Sequence, residues 1–158
     1  IALSLVGSEM CIRDRLGVEA VIFFNSKHAQ EFELRRKRAG HLSSKNRYLA
    51  AQMLGYLDNN LWLELAKSSN AMAAKLSAFF ESVPYVKLHH RPDANMIFAD
   101  MPRKLHHHFF KAGAKYYLRN GSLNGNEDEL ITGRFVCSWS TTEEDINAFI
   151  AAAQKVIY

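Results

Sequence analysis

The alternation of apolar and polar positions changes character about halfway along this chain. In the first half, a short unbroken apolar run at 20–24 predicts a strand buried on both faces. A helix follows over about 27–38, capped by Asn25 or Ser26 and closed by Gly40. Ser43 or Ser44 is placed to cap a second helix, in which Leu49, Ala50, Met53, Leu54 and Leu57 recur at helical spacing. Asn59 or Asn60 starts a third, long helix. Its stripe runs from Trp62 through Leu65, Ser69, Met72, Ala73 and Leu76 to Phe79 and Phe80, and Pro84 stops it.

After Pro84 the elements shorten. Residues 85–88 and 95–101 read as strands joined by a turn at Arg91-Pro-Asp93. Pro102 opens a helix to about Lys111 that closes near Gly113. A strand at 115–118, a mobile turn or loop at 120–129 and a strand at 134–139 follow. Thr141-Thr-Glu-Glu144 has capping-box spacing and starts a last helix to about Val156. This order predicts an α/β framework followed by a compact α+β module. No internal repeat interrupts it.

A chain of 158 residues with 48% hydrophobic content can bury one good core. No apolar run is long enough to span a bilayer as a helix, so the chain reads as having no membrane partner. Two cysteines, Cys11 and Cys137, give no disulfide framework, and a reducing cytoplasm fits that usage. The formal charge of +4 is concentrated rather than spread. Arg35, Arg36, Lys37, Arg38, His41, Lys45 and Arg47 cluster around Gly40, which points to a local anionic partner rather than to nucleic acid.

The chemistry-bearing residues are few. An arginine on a strand, Arg134, can aim its fork into a cleft while Phe135 and Cys137 anchor the strand, and a guanidinium matches a carboxylate with two parallel donors. A surface ion pair is the alternative. Lys37 complements a helix C-terminus without needing a ligand. Lys45 and Arg47 sit in a first helical turn, where cations are unfavourable, so an anion beside the free amides there would relieve them. A solvated basic face is the other reading. His106-His107-His108 point about 100° apart on a helix and cannot share one ion, and His89-His90 alternate across a strand, so no metal site is expected. His41 reads as a turn residue and Cys137 as a small buried hydrophobe.

Three ordered segments carry a resemblance: Leu16-Gly-Val-Glu-Ala-Val-Ile-Phe-Phe24, the pattern R-R-K-R-A-G-H-x-x-S-K-x-R-Y-L-A-A-Q-M over 35–53, and Gly133-Arg-Phe-Val-Cys-Ser-Trp-Ser-Thr-Thr-Glu-Glu-Asp145. Together they resemble the low-specificity L-threonine aldolases, pyridoxal 5'-phosphate (PLP) enzymes of the β-eliminating lyase group. The resemblance implies an α/β fold comprising the end of the large domain (16–83) and the α+β C-terminal small domain (84–158) of a fold-type-I, PLP-dependent transferase-like enzyme. It implies retro-aldol cleavage of L-threonine or L-allo-threonine to glycine and acetaldehyde, and a homo-oligomer, dimer or tetramer. Arg134 would bind the substrate carboxylate, and Lys37 and Lys45 would lie near the cofactor.

The family's cofactor-bonding lysine lies in a Thr-Lys-Asn-Gly-type turn just ahead of the Leu-Gly-x-Glu-Ala-Val segment, and Cys11–Arg15 hold no lysine. The aspartate that pairs with the cofactor's pyridine nitrogen and the histidine that stacks on its ring belong further upstream still. Residues 1–15 look like a translated sequencing adaptor rather than native sequence. The expectation is therefore a C-terminal fragment with no catalytic residue of its own and no activity alone. The rival is a non-catalytic basic module that binds RNA or an acidic protein, although Phe32 and Tyr48 are too sparse for a stacking platform. A third reading is an oligomerisation fragment built on the long helix from Trp62 to Phe80.

Overall fold

The computed structural model describes residues 21–157, and the proposed adaptor segment lies outside them. The chain forms two compact units, one up to Glu64 and one from Leu65 onward. Each carries one of the chain's two tryptophans, Trp62 and Trp139.

The first unit holds α1 (Ser26–Ala29), α2 (Phe32–Arg38) and α3 (Asn46–Leu57). The expected strand at 20–24 is not formed among the described residues. Val21 and Ile22 are exposed and belong to no strand, and Phe24 is 78% exposed. A doubly buried strand needs neighbours to complete its hydrogen-bond ladder, and no described strand lies in this unit. Phe23 packs edge-on against Phe32 at 5.0 Å instead. Asn25 caps as expected, accepting from the Lys27 amide at 2.9 Å. The helix expected over 27–38 breaks at Gln30 and Glu31, and Gly40 closes α2 with φ +77°. Ser43 does not cap α3. Its hydroxyl accepts from the Lys45 amide, so the helix starts at Asn46 without a side-chain cap.

A short 3-10 turn, Asp58–Asn60, leads into α4 (Leu61–Glu81). Asn59 and Asn60 take positive φ, which asparagine tolerates better than other side chains. The buried residues of α4 (Ser69, Ala73, Leu76, Ser77 and Phe80) all fall in the second unit and repeat every three or four positions.

The second unit packs α4, α5 (Arg103–Lys111) and α6 (Glu143–Ile157) with a four-stranded antiparallel sheet of order β1-β2-β4-β3. The strands are β1 (Lys87–Leu88), β2 (Met96–Pro102), β3 (Tyr117–Leu118) and β4 (Leu130–Val136). Alternation on β2 and β4 sends Ile97, Ala99, Met101, Ile131 and Phe135 inward. There Phe80 meets Phe135 at 4.9 Å, Phe109 meets Phe149 at 4.9 Å and Tyr116 meets Phe135 at 4.2 Å. Each buried phenyl contributes about 2–3 kcal/mol of transfer free energy, so this cluster dominates the unit's stability.

Several boundaries differ from expectation: β1 begins at 87 rather than 85, and β3 at 117 rather than 115. β4 runs 130–136 rather than 134–139, because Leu130 to Thr132 continue the ladder with β2 and the partner strand ends at Met96. The capping box sits one residue later than expected: Thr142 Oγ1 accepts from the Asp145 amide and the Asp145 carboxylate accepts from the Thr142 amide. Thr141 serves the preceding turn, accepting from the Ser138 amide at 2.8 Å.

Candidate functional site

Because inward residues alternate along β2 and β4, the opposite sheet face carries Phe98 and Asp100 from β2 and Thr132 and Arg134 from β4. Tyr117 of β3 stands directly opposite Arg134, and Phe98 flanks it on the other side. Arg134 is thus in the second half of β4 rather than at its start, held in line by Gly133 and Phe135, which face the core. Its guanidinium carbon lies 4.9 Å from the centre of the Tyr117 ring. Its Nε is buried and makes no hydrogen bond to any described residue. No acid pairs with it among the described residues.

Asp100, the acid on this face, is engaged elsewhere. One of its oxygens accepts from the Thr132 hydroxyl at 2.6 Å and from His89 Nε2 at 2.8 Å. Burial pushes the Asp100 carboxyl up, but these hydrogen bonds and the charges of His89 and Lys87 outweigh it and hold it below its ordinary value. Arg119 reaches over the Phe98 ring at 5.7 Å. The face therefore combines aromatic platforms with guanidinium groups and no acid bound to them, an arrangement suited to an anion.

Lys37 and Lys45 belong to the first unit, Arg134 to the second. Lys37 lies in the last turn of α2 and Lys45 at the N-cap position of α3. Both are exposed, with no acid partner among the described residues. Arg35 is taken by Glu31 at 2.8 Å, and Arg47 lies over its neighbour Tyr48 at 4.7 Å. Cations without acid partners, one of them at a helix start, fit a phosphate in kind.

The three consecutive histidines go to different fates. His106 is fully buried. Its Nε2–H donates to the Ile131 carbonyl at 2.9 Å, which leaves Nδ1 to accept from the Tyr116 hydroxyl at 2.9 Å. Burial holds the imidazole below its ordinary pKa and raises that of Tyr116. His107 bonds the Leu123 carbonyl, and His108 is exposed. Cys137 is buried.

The sequence reading missed Arg103. This arginine is 3% exposed; its Nε donates to the Ser122 carbonyl, and it also bonds the Asn126 carbonyl and the Glu129 carboxylate. Nothing in its neighbourhood, Pro-Arg-Lys, distinguishes it from a surface residue, since its partners lie 19 to 26 positions away. Tyr117 was legible as a strand residue but not as the partner of Arg134, because facing is set by register.

No family model matches this chain. It is 34% identical over 139 residues, 88% of its length, to the low-specificity L-threonine aldolase of a Pseudomonas species, and 34% identical over 128 residues to that of Pseudomonas aeruginosa. It spans 38% and 35% of those relatives' own lengths. A Leishmania major threonine aldolase structure matches 89% of the chain with a TM-score of 0.76 at 24% identity, over 39% of its own length. The glycine decarboxylase P-protein of the glycine cleavage system matches 68% of the chain with a TM-score of 0.53 at 23% identity, over 25% of its own length. These likenesses give the fold, that of the fold-type-I PLP enzymes. Over its aligned length, the chain belongs to the low-specificity L-threonine aldolase family.

Proposed function

We propose that this chain is the C-terminal part of a PLP-dependent threonine aldolase, in which Arg134 binds the carboxylate of the amino-acid substrate. The reaction is retro-aldol cleavage of L-threonine or L-allo-threonine to glycine and acetaldehyde, carried out by the complete protein as a homo-oligomer. The observation that carries the reading is the Arg134 side chain, buried at Nε, without an acid partner among the described residues, on a sheet face rich in guanidinium groups. A planar fork left unpaired in this way matches the one anionic group that all α-amino acids share.

When bound, PLP supplies the electron-withdrawing ring that takes up the electron pair released as the substrate's Cα–Cβ bond breaks. Lys37 and Lys45 are the residues of this chain suited to its phosphate. Arg134 orients the substrate by its carboxylate. Neither lysine stands in the family's cofactor-bonding motif, so the chain alone is inactive in this reading.

The test is made in the full-length protein. Arg134→Lys keeps the charge and loses the fork, and should lower kcat/KM for L-threonine by about 10- to 100-fold, the range of a lost charge-assisted pair. Unchanged kinetics would remove the carboxylate role. The chain by itself, supplied with PLP and L-threonine, should release no acetaldehyde.

A further inference from the structure

We infer that Tyr117 is a positioning residue for Arg134, fixing the plane of the guanidinium while leaving its edge open to a carboxylate. The inference rests on the carboxylate role proposed above and adds how that role is built.

An arginine with unpaired N–H groups on a sheet face has two ordinary ways to be held. One is an acid partner, which would also neutralise it and occupy the donors a substrate needs. The other is an aromatic face, which leaves them free. The five N–H groups of a guanidinium all lie in its plane, so a ring stacked against that plane competes for none of them. Here the acid route is closed: Asp100 is bound by Thr132 and His89, and no ion pair involves Arg134 among the described residues. The aromatic route is present, with the ring centre 4.9 Å from the guanidinium carbon. Register explains why the pair meets. Tyr117 and Arg134 are direct Cα partners across β3 and β4, which puts their side chains next to each other on one face of the sheet. Phe98 is the Cα partner of Arg134 on the other strand, but the guanidinium over Phe98 is that of Arg119.

Tyr117 is 64% exposed, so burial in the core does not account for its position. Its contribution is to hold in advance an arginine that would otherwise lose rotamer freedom when substrate binds. Such a contribution acts alike on ground and transition states, and it appears in KM rather than kcat.

The experiment compares Tyr117→Phe, Tyr117→Leu, Arg134→Ala and the Leu/Ala double variant in the full-length protein with L-threonine as substrate. Tyr117→Phe should keep KM within about twofold, and Tyr117→Leu should raise it about 5- to 20-fold with kcat within about twofold, the range of a cation–π contact. The double variant should be no worse than Arg134→Ala. If Arg134→Ala leaves KM unchanged, the carboxylate role itself fails. If Arg134→Ala raises KM and Tyr117→Leu does not, or if the two effects multiply, the positioning role fails and the carboxylate role stands. A second readout needs no catalysis. In the nitrogen-15 spectrum of this chain carrying Leu54→Glu and Leu57→Glu, which remove exposed leucines of α3, the Arg134 Nε–H signal should show a ring-current shift that survives in Tyr117→Phe and vanishes in Tyr117→Leu. A signal unmoved by Tyr117→Leu overturns the stacking.

Discussion

His106 shows what a buried polar side chain costs and gives. Both ring nitrogens are satisfied in the neutral form, with Tyr116 donating and Ile131 accepting, and burial disfavours the charged form. Protonation would set a second N–H against the tyrosine hydroxyl in a site closed to water. Because the folded pKa lies below the unfolded one, the unfolded chain binds more protons on the acid side of about pH 6.5. Stability should therefore be full above that pH and fall as the pH drops toward the folded value. Melting temperatures from pH 7.5 to 5 would check this: His106→Gln should lower the melting temperature at pH 7.5 and flatten the acid slope. Gly133 gives a second test. A Cβ there would stand 2.6 Å from the Phe135 ring and 3.2 Å from His106, so Gly133→Ala should cost about 1–3 kcal/mol in urea unfolding. That the three consecutive histidines take different directions was legible in the sequence from helical geometry alone. Which of the three would be buried was not, since that depended on β4 lying behind α5.

Element boundaries followed local grammar where local bonds decide them. Asn25, Gly40, Pro102 and Gly113 ended or opened helices where the residue types say they should. Tertiary partners moved the rest. Thr132 and Gly133 precede the expected strand start at 134, yet both lie within β4 because β2 pairs with them and Gly133 fits beneath an aromatic ring. The 120–129 connection carries turn residues and acids and reads as mobile. In the fold it is fastened by Arg103, by the Lys104–Asp128 pair at 2.7 Å and by His107. Arg103→Ala should expose this connection to proteolysis and cost about 2–3 kcal/mol, the scale of lost charge-assisted hydrogen bonds. Gly125→Ala should act in the same direction, because φ is +134° there and a Cβ would meet the Arg103 guanidinium at 2.7–2.9 Å. Limited proteolysis with mass mapping would show cleavage confined to that segment in both variants.

At the scale of the whole molecule, the two units bury their apolar residues very differently. The second has a closed aromatic core, whereas none of α1, α2 and α3 buries a residue. Leu34 is 63% exposed and Leu54 70%. The apolar spacing of α3 was legible in the sequence, but spacing cannot say what covers a face, and the family relatives are more than twice as long as this chain. A patch of this kind in water drives association. The chain by itself should form higher-order species by light scattering at micromolar concentration, and Leu54→Glu with Leu57→Glu should restore the mass of one chain. No helix among the described residues is long and apolar enough to cross a membrane. The division of the chain also places one indole, Trp62, before the boundary at Glu64 and the other, Trp139, after it. Replacing either by phenylalanine leaves a lone fluorophore in the other half. Emission during denaturation then follows each half separately, and would show whether they melt together or in turn.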